Sequence, residues 1–453
     1  MNLLIPRYSH EQLKTIIYFS FFILLSSLLS LSLSVFVIQI ILSLFTLPII
    51  LKKDIKSINL YLIIFIVSLF FVFIVYYGNL FYLGTPYFNG GSDDLTYERQ
   101  AMTILGTNMY NPAEVLDSGI IGLFHNSPFY VVLIASSMKF ANLIDGYSTF
   151  IPRIFNVYLL IWSCFIIEYF LRKYSKLSDK KIYIVLGVFA LTPNIHYINA
   201  HVFRDTLNLF QILYIVYFFD KITEFKNFSF KIPYAFILWL LIFISYYTRA
   251  NSILFSLSFC TIMLSYKLKI GKLFIFVPLI AITYLNVLLE NLRLDHYIEI
   301  YSSYLSTASA DGLSKFVFNR SILPFGIVLR SLYAFITPPP LFFNLFRQQD
   351  KLLFDFVYLL IYIGVVVQIF SLPFVIKRVI KLDWIAFVFL TFFYAIVLTT
   401  FTFRHTMLYY PFLVILGVDG FFSSSVATRK YTVLLTGFVI FSMSIFYLIL
   451  KYS

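Results

Sequence analysis

The sequence predicts an all-α polytopic membrane protein with about thirteen transmembrane helices, within a range of 11 to 14. Three observations predict it. Hydrophobic residues make up 60% of the 453 positions and charged residues only 12%, about half the charge of a soluble domain. The apolar residues come in blocks such as 59-LYLIIFIVSLFFVFIVYYG-77 and 353-LFDFVYLLIYIGVVVQIFSLPFVI-376, near the ~20 residues that cross a bilayer. Chain inside lipid has no water for its backbone groups, so these blocks must be helices.

In order, the expected spans lie near 15–32, 34–51, 59–77, 152–171, 182–199, 203–220, 233–249, 251–266, 273–290, 353–376, 384–402, 405–421 and 431–450. The first follows 1-MNLLIPRYSHEQLK-14 without an A-x-A-type cleavage site, which suggests a retained helix. Cys164 and Cys260 both sit in apolar runs and are expected to be small buried hydrophobes. No internal repeat or heptad seam is visible, so residues 1–453 are expected to form a single integral membrane domain.

Lysine-rich connections fix the expected orientation. The segments 52-KKDIK-56, 172-RKYSKLSDKK-181, 221-KITEFKNFSFK-231, 266-YKLKIGK-272, 377-KRVIK-381 and 429-RK-430 share one side with the N-terminus, which the positive-inside rule makes cytoplasmic. The net charge of +13 therefore marks topology, and nucleic acid is not an expected partner. The longest connections, 78–151 and 291–352, fall on the outer face. Each holds an amphipathic stretch, 119–138 and 321–343, expected to lie at the membrane surface. Nine of the thirteen arginines are on that face, including Arg153, Arg204, Arg249 and Arg404. Topology alone does not choose arginine over lysine, whereas bidentate recognition of phosphate does.

The first outer loop contains 89-NGGSDDLTYERQA-101. Gly90 and Gly91 permit a tight turn, Ser92 is a suitable N-cap, and 93–105 has helical character before Gly106. Asp93 and Asp94 fall in the first helical turn, where the dipole favours carboxylates. The plain explanation is good helix-start chemistry on an exposed loop. The functional one is a carboxylate pair at the membrane boundary that accepts a hydroxyl proton or holds a divalent cation. Of the two, Asp94 is the expected base or metal ligand, with Asp93 supporting it. Tyr87, Phe88, Tyr97 and Tyr110 are aromatic candidates for stacking on sugar faces.

A second constellation is His201, Arg204 and Asp205, one turn after His196. Arg204 and His201 share a helix face by their spacing of three. Arg249 ends one expected span in 246-YYTRAN-251, and Arg404 with His405 begins another. Charged residues at span edges are costly and point to function, although interfacial anchoring explains them too. The six histidines show no H-E-x-x-H spacing.

These motifs, taken in order, resemble GT-C type membrane glycosyltransferases of bacterial surface polysaccharide assembly. The Ser-Asp-Asp-x-x-Tyr-x-x-x-Ala loop resembles their acidic signature. The segment 126-NSPFYVVLIASSMKF-140 resembles their Pro-containing segment, and 152-PRIFNVYLLIWSCFIIEYFLRKY-174 an Arg-x-x-Asn helix start. Further on, 193-PNIHYINAHVFRDTLNLFQILY-214 resembles their (Arg/Lys)-Asp helix start, and 403-FRHTMLYYPFLVILGVDG-420 a late arginine-proline segment. The similarity is strongest over about 78–260. The same features resemble O-antigen polymerases.

The resemblance implies a GT-C-like fold and inverting, nucleotide-independent transfer from a sugar linked to a polyprenyl phosphate or pyrophosphate, with undecaprenyl phosphate as the carrier. It places the active site on the periplasmic face of a bacterial inner membrane. Asp93 and Asp94 would be catalytic. Arg153, Arg204, Arg249 and Arg404 would bind lipid phosphate, and Tyr97, His201, Asp205 and His405 would support them. Any divalent cation, magnesium or manganese, would sit at Asp94. Repeat-unit polymerisation is the nearest alternative, and a flippase for lipid-linked oligosaccharide is a further one. Transporters concentrate polar groups and broken helices near the bilayer centre, whereas most spans here carry no charge at their middles.

Overall fold

A computed structural model describes residues 9–91, 93–121, 127–225, 228–249, 251–269, 317–318, 326–337, 351–398 and 403–452. Among the described residues the regular structure is helical and contains no strand. Seven helices among the described residues are long and apolar enough to cross a membrane, or eight where a bent helix pair counts as one span, against the thirteen expected. The protein is therefore an all-α, multi-pass membrane protein. The expected span 273–290 and most of the second outer loop lie outside the described residues.

By contacts, the chain divides into two compact units, Met1–Phe210 with Gln348–Val357, and Gln211–Arg347 with Tyr358–Ser453. The first unit opens with α1 (His10–Ser30) and α2 (Leu33–Leu51), followed by α3 (Ile55–Leu83). Ser9 starts α1 with a capping box on Gln12, and Leu31 ends it in the left-handed region at φ 50°. The Gln12 amide then donates to the Leu51 carbonyl at 2.7 Å, closing an antiparallel hairpin.

In the first outer loop follow α4 (Asp93–Thr107), α5 (Pro112–Asp117) and α6 (Pro128–Ala141). Next come α7 (Phe150–Tyr174), α8 (Asp179–Leu191), α9 (Pro193–Asn199) and the start of α10 (Asp205–Glu224), the greater part of which belongs to the second unit. The sequence predicts one straight span over 182–199. Instead α8 and α9 meet at a 51° bend. Pro193 starts α9 and Thr192 before it is extended, at φ −66° and ψ 126°, because the proline ring excludes helical geometry from the preceding residue.

Helix α3 runs antiparallel to α7, which gives this unit two distinct ends. At the lysine end, Glu168 accepts from Lys53 at 2.6 Å, Arg172 at 2.8 Å and Tyr61 at 2.8 Å. Asp54 caps α3 there and accepts from the Tyr183 hydroxyl at 2.6 Å. Between the ends, polar pairs join helices that lipid does not drive together. Gln39 bonds Ser26, the Trp162 indole donates to Thr46 at 2.9 Å, and Phe19 stacks on Phe65. At the other end, Asp145 accepts from the Leu33 and Ser34 backbone N–H groups, and the Ser34 hydroxyl donates to the Gly146 carbonyl. A loop distant in sequence thus caps the start of α2.

In the second unit are α11 (Phe228–Thr248), α12 (Asn251–Lys267), α13 (Ile327–Ile336), the greater part of α14 (Leu352–Val379), α15 (Trp384–Leu398), α16 (Thr406–Phe422) and α17 (Val426–Tyr452). Helix α13 is the described part of the amphipathic stretch 321–343. Gly417 and Gly420 let α16 approach α14 closely. A Cβ on Gly417 would lie 3.1 Å from Ser371, and one on Gly420 would collide with the Phe374 carbonyl. Arg378 clasps these helices by pairing with Asp419 at 2.5 Å and with Asp383. Large exposed apolar residues, Phe45, Trp239 and Phe438 among them, suit a lipid-facing surface and would be a liability in water.

Candidate functional site

The first outer loop folds back against the end of the first unit opposite its lysines. Helix α4 buries Asp94, Tyr97, Glu98, Ala101 and Ile104 and leaves Arg99 and Met102 exposed. Those buried positions follow i, i+3, i+4 and i+7, one helical face. That face packs on α6 through Ala101, Ile104, Val131, Ala135 and Met138, with Val115 of α5 filling in beside them. The small Ala101 and Ala135 permit the close approach. Packing of this kind fixes the rotation of α4 and so decides which aspartate turns inward.

Asp94 does, and it is fully buried. Asp93 is half-buried beside it. Asp94 Oδ2 accepts the Phe88 N–H at 2.8 Å and Oδ1 the Leu95 N–H at 3.1 Å. Asn89, Gly90 and Gly91 all take positive φ values here, which folds the turn tightly enough to bring Phe88 back to the carboxylate. Burial pushes the Asp94 carboxyl up to about 6, against the opposing effects of the Phe88 N–H and the Arg153 charge. A carboxylate with that proton affinity is suited to general base work near neutral pH.

Arg153 is also fully buried. Its Nε donates to the Ala200 carbonyl at 2.9 Å and its Nη2 to the Pro86 carbonyl at 2.7 Å, while Nη1 reaches Thr149. The Tyr76 ring lies 5.2 Å from its guanidinium carbon. One turn later Asn156 donates to the His201 and Phe203 carbonyls at 3.0 and 3.2 Å. The Arg-x-x-Asn pair thus pins residues 200–203 and the turn at 86 to the start of α7. The expected phosphate-binding Arg153 acts here as a clamp on backbone carbonyls.

His201 Nδ1 donates to the Tyr197 carbonyl at 2.8 Å, which leaves Nε2 to accept from the Asn79 amide at 3.3 Å. Its ring stacks on Phe203 and meets Phe88 edge-on. Arg204 is half-buried, with its guanidinium carbon 5.9 Å from the Tyr97 ring, and Tyr97 meets Tyr130 edge-on. Asp205 is buried in the first turn of α10. Asp94, Tyr97, Arg153, His201, Arg204 and Asp205 therefore share one end of the first unit. The remaining expected residues belong to the second unit. There Arg249 Nη2 donates to His405 Nε2 at 3.0 Å, and Arg404 is half-buried in the same short 3-10 turn, Phe403–His405.

No motif in the surrounding sequence singles out Glu98. It is buried, and its carboxylate accepts from the Tyr87 hydroxyl at 2.6 Å, the Tyr147 hydroxyl at 2.7 Å and the Thr149 hydroxyl at 2.5 Å. Its position four residues after Asp94 was the available signal, because a helix presents i and i+4 together. Burial together with the Glu98 charge pushes both phenols well up, so they remain donors at any physiological pH. A cavity of about 500 Å³ opens beside this carboxylate, lined by Ser30–Ser32, Tyr76, Pro86, Tyr87, Met102 and Asp145–Thr149.

No protein family, curated protein or solved structure matches this chain. Among the described residues, no three His, Cys, Asp or Glu side chains are grouped to hold a metal ion.

Proposed function

We propose that this protein is an integral-membrane glycosyltransferase of surface polysaccharide assembly, transferring a sugar from a polyprenyl-phosphate- or pyrophosphate-linked donor at the outer face of a bacterial inner membrane. The observation that carries the proposal is Asp94. It is a buried carboxyl raised to about 6, at the start of a loop helix and at the opposite end of its unit from the lysine cluster. In this mechanism Asp94 takes the proton from the attacking sugar hydroxyl as the new glycosidic bond forms at the anomeric carbon. The lipid phosphate leaves with the bonding electrons and its tail stays in the bilayer. Arg204, half-exposed beside Tyr97, stabilises the leaving charge, an electrostatic role worth several kcal/mol in comparable sites. No step is routed through a cation.

The experiment is Asp94→Asn in a strain that lacks the chromosomal copy, with surface polysaccharide and lipid-linked sugars measured together. Loss of polymer with outward-facing donor accumulating supports the transferase. A ladder shortened to one repeat unit identifies the polymerase form of the same chemistry. Donor trapped on the inner leaflet identifies a flippase, and normal polymer removes Asp94 from the chemistry altogether.

A further inference from the structure

The cavity beside Glu98 has no part in the proton transfer just described, yet its walls set two carboxylates and several hydroxyls against apolar surface. The Tyr87, Tyr147 and Thr149 hydroxyls each direct their single proton at the Glu98 carboxylate. Arg153 Nη1 donates to the Thr149 hydroxyl oxygen at 3.3 Å, which orients that hydroxyl further. Once a hydroxyl's proton is committed, its oxygen can only accept. Asp145, on the same wall, is an acceptor already engaged with the start of α2. These side chains therefore present acceptors, the Ser32 and Ser148 hydroxyls add further polar groups, and Leu31, Pro86, Met102 and the tyrosine rings supply apolar surface.

That combination selects a ligand class. A phosphate or carboxylate would bring negative charge and further acceptors against two carboxylates, and is rejected. An acyl chain would make no hydrogen bond to the polar wall and would displace the water that serves it. A neutral sugar unit fits both features, because its hydroxyls donate to the acceptor wall while its C–H face lies on the apolar one. At about 500 Å³ the cavity falls within the roughly 300–1,000 Å³ of small-molecule sites.

We propose that the Glu98 cavity is a recognition subsite for a hydroxyl-rich neutral glycosyl unit. The inference names the substrate class for the proposed transferase and so rests on that reading. Glu98 is a positioning residue within it, holding three hydroxyls in acceptor orientation.

The test is binding of methyl hexosides and N-acetylhexosamine to the purified full chain in nanodiscs, followed by ligand-observed NMR, with inorganic phosphate as the anionic control. The wild-type chain binds at least one of the sugars and not phosphate. Glu98→Gln puts an amide donor where the hydroxyl protons pointed, and it weakens sugar binding by about tenfold, the cost of roughly one hydrogen bond. Tyr87→Phe keeps the ring, removes one acceptor and weakens binding several-fold. It carries the test alone should Glu98→Gln unfold, which thermal unfolding reports. Asp94→Asn keeps sugar binding while losing transfer. Sugar binding that is absent from the wild type, or unchanged in both folded variants, overturns the subsite even if Asp94→Asn abolishes polymer. Normal polymer from Asp94→Asn overturns the transferase and leaves the binding result standing.

Discussion

Arg153 reaches across the first unit to the Ala200 carbonyl, 47 residues away, with an Nε–O distance of 2.9 Å. The same guanidinium donates to the Pro86 carbonyl, so one buried side chain fixes both backbone segments that flank Asp94. Lysine cannot reproduce that planar fork. Arg153→Lys is expected to destabilise the protein by about 2–4 kcal/mol, since it leaves buried carbonyls unpaired as well as misplacing a charge. Thermal unfolding in detergent checks this, and a melting temperature equal to wild type would refute the clamp.

As the proposed base, Asp94 is expected to make the rate of transfer depend on pH with a definite sign. The base is active only when ionised, so the rate rises as pH passes about 6 and falls about tenfold by pH 5. Stability moves the other way. Between the ordinary value of 3.8 and about 6, the folded protein keeps a proton that the unfolded chain releases. Its stability therefore declines as pH rises through that window, by on the order of 2–3 kcal/mol. Asp94→Asn removes both dependences. A pH–stability curve that is identical in the two proteins would count against the raised carboxyl.

Glu168 is the hub of the lysine-end clasp, buried between Lys53, Arg172 and the Tyr61 hydroxyl. Glu168→Gln leaves two cations facing a neutral amide and is expected to cost about 2–3 kcal/mol, discounted because Lys53 and Arg172 are partly solvated. Folded yield and melting temperature fall together. The donor binding proposed for the other end of α7 is expected to keep its affinity in the molecules that fold.

Gly420 sits where α16 presses on α14, and an added methyl group collides with the Phe374 carbonyl. Gly420→Ala is expected to part the helices and cost about 1–3 kcal/mol. Gly106→Ala meets open space and serves as the control, which should be neutral or slightly stabilising. Comparing the two melting temperatures decides the matter.

The sequence made the membrane-spanning helices legible because lipid imposes one rule on every apolar run. Most of the long apolar helices begin and end within a few residues of expected limits, α7 at 150–174 against 152–171 being typical. Among the described residues, however, only seven, or eight with the bent pair, are long and apolar enough to cross a membrane, against the thirteen expected. The break at Thr192–Pro193 was legible in the proline but was hidden by the unbroken hydropathy around it. The helix start at Asp93 is legible in 89–101, whereas the burial of Asp94 departs from the exposed loop that plain helix-start chemistry implies. Glu98 was missed because a glutamate in an outer loop helix looks solvated until Tyr147 and Thr149 arrive from 49 and 51 residues away. Arg153 looked like a phosphate ligand because nothing local reveals that its partners are carbonyls at 86 and 200.

The bond from Asp145 to the first turn of α2 spans 111 residues at Ser34, and this bears on biogenesis. Helices α1, α2 and α3 leave the ribosome and enter the bilayer well before residue 145 has been made. During that interval the hairpin tip lacks the carboxylate that caps it, and its two N–H groups must be served by water or headgroups. The tip can lock only after the loop that carries Asp145 has been made and has folded back. A mutation at Asp145 would then surface as a delay in the maturation of newly made chains, and pulse-chase protease protection would detect it while the finished protein still melted almost normally.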